Sequence, residues 1–308
     1  MARHVIISAI SCSDTPGSFS KPRDAVDAGL KSQLEWIDRA AFQTPDVIVL
    51  PEVCAWRHVP IKQWPRYAQT ERDPVFVETA DRARKHRCYI ACPILLRKGD
   101  NLYNSFIVVD REGKRVGRYD KMVPTADEMR IGVRPGRKNR IVRTKFGTFA
   151  FAICFDMNFE EVFRSAKQQG AEVILFGSMY PGGFQCRVWA YQYELFIVGA
   201  SSGTGSMLVN PVGRIITESQ MHQQIKTTTL NLDCRVLHLD DNMKKFPAIE
   251  KKYGRLIEID VLSPEAIFLL TSHHPRKSVD DIIKEFKLET RQAYYARTRR
   301  ARNRSLNA

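Results

Sequence analysis

The apolar positions of this chain recur with two different periods, and the switches between those periods outline its elements. Val5-Ile-Ile-Ser-Ala-Ile10 is a short apolar run that predicts a first strand, followed by a polar loop over Ser11 to Lys21. From about Arg23 to Phe42 the apolar residues Val26, Leu30, Leu34, Ile37 and Ala41 fall on one face at helical spacing. Asp46-Val-Ile-Val-Leu-Pro-Glu52 is a continuous apolar run closed by a proline and an acid, which suits a strand covered on both faces. A helix is predicted over Pro74 to His86 and a strand over Cys88 to Leu95. Asn104 to Asp110 and Arg115 to Lys121 flank a charged turn and read as a hairpin. After a long Pro-, Gly- and Arg-rich loop come a strand at Thr148 to Ile153, a helix at Phe159 to Gln169 and a strand at Ala171 to Phe176. A helix at Gln185 to Tyr193 leads to a strand at Leu195 to Ala200. Ser206 to Thr217 folds back on itself through Asn210-Pro-Val-Gly213, and Thr227 to Asp233 supplies another strand. Beyond it Ser263-Pro and Ser278-Val-Asp-Asp carry helix-start signals, with a final helix running from Val279 into the basic tail. Buried strands, hairpins and helices in this order predict a layered α/β fold.

Composition narrows the class. The 308 residues are 44% hydrophobic and 27% charged, which fits a globular protein and excludes disordered or collagen-like chains. No apolar run reaches the ~18 residues of a membrane span. Seven scattered cysteines without a Cys-x-x-Cys pair argue against a disulfide framework or a zinc ribbon, and point to a reducing, cytoplasmic setting. The net charge of +14 is localised. Arg130 to Lys145 holds seven basic residues and no acid, and Arg291 to Ala308 holds six and no acid. A nucleic-acid partner is therefore expected, if anywhere, through the tail and not across the body.

Three reactive side chains end strands: Glu52, Lys121 and Cys154. Strand ends hand side chains from a rigid scaffold to loops, where catalytic groups are often held. A cysteine at a strand-to-helix turn also has backbone N–H groups nearby that can stabilise an oxyanion. Each residue also has an ordinary structural reading: a small buried hydrophobe, a capping acid and a solvated lysine.

Taken together they match a pattern. Val47 to Glu52, Gly113-Lys-Arg-Val-Gly-Arg-Tyr-Asp-Lys121, Phe146 to Glu161 around Cys154, Gly170-Ala-Glu-Val-Ile and Ser206 to Gly213 resemble, in order and spacing, segments of the nitrilase superfamily of carbon–nitrogen hydrolases. The resemblance covers about residues 4 to 235. It implies a four-layer αββα sandwich over 1–260, followed by a C-terminal helical extension over 261–308. It also implies a Glu52–Lys121–Cys154 triad and assembly as a homodimer or larger homo-oligomer. Under this reading Cys154 is the nucleophile, Glu52 the acid/base and Lys121 the oxyanion stabiliser, aided by the Phe155 N–H. Glu128 orients the lysine and substrate, and no metal or cofactor is called for. Glu160, Asn158 and Leu195 depart from the common Pro, Arg and Asn of the family. Phe155-Asp156 stands where nitrile-cleaving members have Trp-Glu, which favours a small amide or N-carbamoyl substrate. Arg130 or Arg134 is expected to meet a substrate carboxylate. The rival readings are acyl transfer on the same triad and a basic nucleic-acid-binding or scaffold protein on the same frame.

Overall fold

The computed structural model describes residues 2–12, 19–203 and 205–307. The polar loop expected from Ser11 to Lys21 lies largely outside the described residues. The chain forms two compact units, one over residues 5–229 and one over 230–308 with the N-terminal residues up to His4.

The larger unit is built on two six-stranded sheets. The elements of its first half are β1 (His4–Ile10), α1 (Pro22–Ala40), β2 (Val47–Val49), α2 (Trp64–Tyr67), α3 (Pro74–His86), β3 (Tyr89–Lys98), β4 (Asn101–Val109) and β5 (Arg115–Asp120). The second half comprises α4 (Ala126–Arg130), β6 (Val142–Arg143), β7 (Thr148–Ile153), α5 (Glu160–Gln168), β8 (Val173–Ser178), α6 (Gly183–Tyr193), β9 (Phe196–Ser201), β10 (Met207–Val209), β11 (Ile215–Glu218) and β12 (Ile225–Asn231). The first sheet has the order β12-β1-β2-β3-β4-β5 and the second β11-β10-β9-β8-β7-β6. Each has a parallel centre, β1-β2-β3 or β7-β8-β9, with antiparallel strands beyond it.

Helices cover the outer faces. The apolar stripe of α1, including Val26, Leu30 and Ile37, joins Val75 and Ala83 of α3 over the first sheet. Val162, Phe163 and Ala166 of α5 pack with Cys186 and Ala190 of α6 over the second. The inner faces meet through aromatic side chains: Phe106 and Phe151 lie 6.2 Å apart, and Tyr119 stacks on Phe151 at 5.9 Å. This is the αββα sandwich, and its central strands are apolar throughout because both faces are covered.

The second unit is not helical alone, contrary to the expected extension. It contains β13 (Cys234–His238), α7 (Phe246–Tyr253), β14 (Ile257–Leu262), β15 (Ile267–Ser272), α8 (Val279–Glu285) and α9 (Arg291–Leu306). The strands form an antiparallel sheet, β13-β15-β14. Because β15 pairs with both β13 and β14 along their lengths, residues from 230 onward belong to this unit, and the position 260 expected as a boundary falls inside β14. Ser263-Pro starts only a 3₁₀ turn over Ser263–Glu265, which Ala266 closes with a left-handed φ of 54°. Ser278 does cap a helix, its hydroxyl accepting from the Asp281 N–H. The single final helix is two, α8 and α9, separated by Lys287 at φ 50°.

Candidate active site

Glu52 follows the buried end of β2, and Val53 after it takes a left-handed φ of 43°, rare for a β-branched residue. Lys121 follows β5, with its N–H donating to the Asn104 carbonyl at 2.9 Å. Cys154 follows β7, whose Ile153 pairs with Gly177 of β8, so the nucleophile candidate stands at the level of Ser178. Its φ of 47° is again left-handed. Such backbone costs roughly 1–3 kcal/mol and gathers at functional turns.

The side chains converge. Lys121 Nζ donates to Glu52 Oε1 at 2.8 Å and to Glu128 Oε2 at 2.8 Å. Asn104 Nδ2 bridges the same two carboxylates, at 2.7 Å to Glu52 Oε1 and 2.8 Å to Glu128 Oε1. Glu52, Lys121, Glu128 and Asn104 are all buried, while Cys154 is partly open. The Cys154 thiol lies within the electrostatic reach of Glu52 and Lys121 and near the Ser178 hydroxyl.

Glu128 owes its position to local sequence. Thr125 caps α4 by accepting from the Glu128 N–H at 3.2 Å, and Glu128 Oε2 accepts from the Thr125 N–H at 2.7 Å. This reciprocal capping box holds the carboxylate against Lys121.

Burial alone would push the Lys121 ammonium down, but the charges of Glu52 and Glu128 outweigh it and hold the lysine protonated. Burial likewise opposes ionisation of Glu128, and Lys121 overcomes it to hold the carboxyl below its ordinary range. Burial, and then the charge of Glu52, raise the Cys154 thiol to about 12, with Lys121 opposing. The resting thiol is therefore protonated near neutrality, and attack requires a proton acceptor at hand.

Phe155 lies in the first turn of the 3₁₀ segment Cys154–Asn158, whose leading N–H groups have no partner within the turn. Asp156 is fully buried and fixes that segment: it accepts from Tyr119 Oη at 2.7 Å and from the Ile153 and Val123 N–H groups at 2.9 and 2.8 Å. Burial raises its carboxyl to about 6.

The departures from the common motif are accommodated. Glu160 opens α5, where an acid complements the helix dipole and a proline would also fit. Asn158 donates to the Phe155 carbonyl at 3.1 Å and accepts from Gln185 at 2.8 Å.

Arg130 and Arg134 are not drawn into the buried cluster. Both are exposed; Arg130 pairs with Asp127, and Arg134 hydrogen-bonds Leu102 through its backbone. Among the described residues neither is hydrogen-bonded or ion-paired to Glu52, Lys121, Glu128 or Cys154. Asn104, Ser178 and Tyr180, whose hydroxyl donates to the Cys154 carbonyl at 3.1 Å, join the site unforeseen. For Asn104 alone there was a signal, a carboxamide just before the apolar run Phe106 to Val109. Among the described residues no group of three or more His, Cys, Asp or Glu is arranged to hold a metal, and no helix is long and apolar enough to cross a membrane.

A family model described as carbon-nitrogen hydrolase matches residues 21–235. The omega-amidase Nit3 of Saccharomyces cerevisiae is 24% identical over 236 residues, 64% of this chain and 79% of the relative. Its crystal structure superposes with a TM-score of 0.64 at 22% identity, covering 82% of this chain and 97% of that one. A Glu-to-Gln mutant of the amidase from Nesterenkonia sp. AN1, showing covalent addition of the acetamide moiety of fluoroacetamide at the active site cysteine, matches with a TM-score of 0.63 at 17% identity, over 75% of this chain and 91% of that one.

Proposed function

The chain belongs to the carbon–nitrogen hydrolase family, and from that premise we propose that it hydrolyses a small primary amide through a thioester on Cys154. The observation that carries this reading is the buried Glu52–Lys121–Glu128 ion triplet beside the Cys154 thiol.

In the first half-reaction Cys154 Sγ attacks the amide carbon while Glu52 accepts the thiol proton. The carbonyl π pair moves to oxygen, and the oxyanion is met by the Lys121 ammonium and the Phe155 N–H. Glu128 and Asn104 hold the ammonium on that oxygen. Collapse breaks the C–N bond, the proton on Glu52 passes to nitrogen, and ammonia leaves. In the second half Glu52 deprotonates water, which attacks the thioester. The acid departs and the sulfur regains its proton. Phe155-Asp156 in place of Trp-Glu supports an amide or N-carbamoyl group over a nitrile. The name of the yeast relative makes an amide at the far end of a carboxylic acid the first substrate to try. This reading gives no role to Arg130 or Arg134.

The test is ammonia release from a panel of primary amides, N-carbamoyl amino acids and nitriles. It is paired with mass spectrometry for an acyl adduct on Cys154. Amides are expected to turn over, and Cys154→Ala to be inactive with its fold retained. Turnover by Cys154→Ala at the wild-type rate would overturn the assignment.

A further inference from the structure

A concavity lined by none of Glu52, Lys121, Glu128 or Cys154 opens along β5 with a volume of about 680 Å³. That is the size of a small-molecule site, ~300–1,000 Å³. Six cations line it: Lys98 at the end of β3, Arg115 and Arg118 on β5, and Arg137, Lys138 and Arg140 from the loop after α4. The one acid in the lining, Asp120, is taken by Arg118 in a two-pronged pair at 2.7 and 2.8 Å. Arg115 pairs with Glu71 at 2.6 Å. Among the described residues Lys98, Arg137, Lys138 and Arg140 have no acidic partner. Their mutual repulsion is relieved by a bound counter-charge.

The loop that supplies three of these cations is anchored. The Gly136 N–H donates to the Lys121 carbonyl at 2.7 Å, and the Arg134 N–H to the Leu102 carbonyl at 2.8 Å. Asn139 is fully buried; its Nδ2 donates to the Phe151 carbonyl at 2.7 Å, and its Oδ1 accepts from the Phe151 N–H at 3.2 Å. The backbone comes so close to β5 that a Cβ at Gly136 would fall 2.1 Å from the Asp120 carbonyl oxygen, so only glycine fits. The cations thus converge on the cavity from an ordered frame, which lowers the entropic cost of gathering them around a ligand.

We propose that this cavity binds a small multiply phosphorylated anion. Four uncompensated cations around one hollow match the dense charge of an oligophosphate and exceed what a single carboxylate requires. A nucleic-acid strand is disfavoured. Strand-binding grooves stack successive bases on several aromatic rings, whereas Tyr103 is the one aromatic residue of this lining, its face held by the Arg118 guanidinium 4.9 Å from the ring centroid. The proposal does not depend on the amide reaction.

The experiment is equilibrium titration of the full-length protein at about 150 mM salt. The ligands are inorganic tripolyphosphate, a nucleoside triphosphate, sulfate and a mixed single-stranded oligonucleotide. Saturable binding of the two phosphate ligands is expected, with sulfate weaker. The double variant Lys138→Glu/Arg140→Glu is expected to lose roughly tenfold or more in affinity while keeping its thermal midpoint. The tail variant Arg299→Glu/Arg300→Glu is expected to bind like the wild type. Equal binding of the two phosphate ligands assigns recognition to the phosphates. Tighter binding of the nucleotide, removed by Tyr103→Leu, extends it to the base. No saturable binding, undiminished affinity in the folded Lys138/Arg140 variant, or an oligonucleotide preferred over tripolyphosphate would each overturn the proposal.

Discussion

The Cys154 thiol is held protonated by burial first and then by the charge and hydrogen bonding of the adjacent Glu52, with Lys121 pulling the other way. Glu52 thus both suppresses the resting thiolate and stands ready to take its proton. Removing its charge should separate these effects. In Glu52→Gln the raising charge of Glu52 disappears, so the Cys154 pKa falls from about 12 toward the ordinary thiol range. The pH midpoint of iodoacetamide alkylation should move down while amide turnover drops by about 10²–10⁴. Alkylation rates across pH, read beside kcat, check this, and an unmoved or raised midpoint would contradict the assigned effect of Glu52. Asn104 acts through its neighbours. Its one amide nitrogen serves both glutamates, and its buried Oδ1 has no hydrogen-bond partner among the described residues. Asn104→Leu leaves Lys121 as the one donor shared by the two carboxylates. We expect kcat to fall by roughly 10–100-fold with KM within about threefold, because the variant misplaces groups and removes no substrate contact. A loss confined to KM would instead put Asn104 on the substrate.

At the scale of elements, the two sheets approach so closely near the site that one position on β8 tolerates no side chain. A Cβ at Gly177 would fall 2.2 Å from the Phe106 ring and 2.9 Å from the Leu50 carbonyl oxygen, two residues before Glu52. Gly177→Ala should therefore cost about 1–3 kcal/mol as overpacking and disturb the Glu52 turn. A lowered thermal midpoint together with reduced kcat is expected, and a stable, fully active variant would show that the sheets can part freely. This close approach was invisible in the sequence, since Gly177 stands in an apolar run that reads as any buried strand. What was legible followed from periodicity and chain order: β7 occupies the expected Thr148–Ile153, and α3 the expected Pro74–His86. The ends of β2, β5 and β7 deliver Glu52, Lys121 and Cys154 where one-dimensional reading put them. Ser178 and Tyr180 were not legible, because Cys154, on which they act, follows a different strand. The C-terminal strands were missed for a different reason. Ile257-Glu-Ile-Asp-Val-Leu262 alternates with period two, but Ser263-Pro after it carries a helix-start signal that a single 3₁₀ turn also uses.

For the whole molecule, the +14 charge divides into two structural kinds. Cations of the loop after α4 are fastened to the sheets through Gly136 and Asn139 and face a cavity. Those of the tail ride on α9, and only the first half of that helix is docked. Arg291 is 2% exposed, Tyr294 stacks on His238 at 3.7 Å and donates to Asp240 at 2.7 Å, and Arg297 grips Glu289 at 2.7 and 3.0 Å. From Arg299 to Asn307 every residue is exposed. Packing and charge are therefore separable along one helix. Deleting residues 299–308 removes Arg299, Arg300, Arg302 and Arg304, so the protein should elute from a cation exchanger at lower salt. Its thermal midpoint should stay within about 2 °C, because surface side chains without packing contribute little. Deleting 291–308 removes in addition a buried arginine and the stacked tyrosine, and should lower the midpoint by several degrees, consistent with a loss of about 2 kcal/mol or more. Calorimetry of the two truncations beside the full chain decides the matter. If the shorter deletion destabilises as much as the longer one, the exposed arginines hold the helix in place and the division between docking half and charged half is wrong.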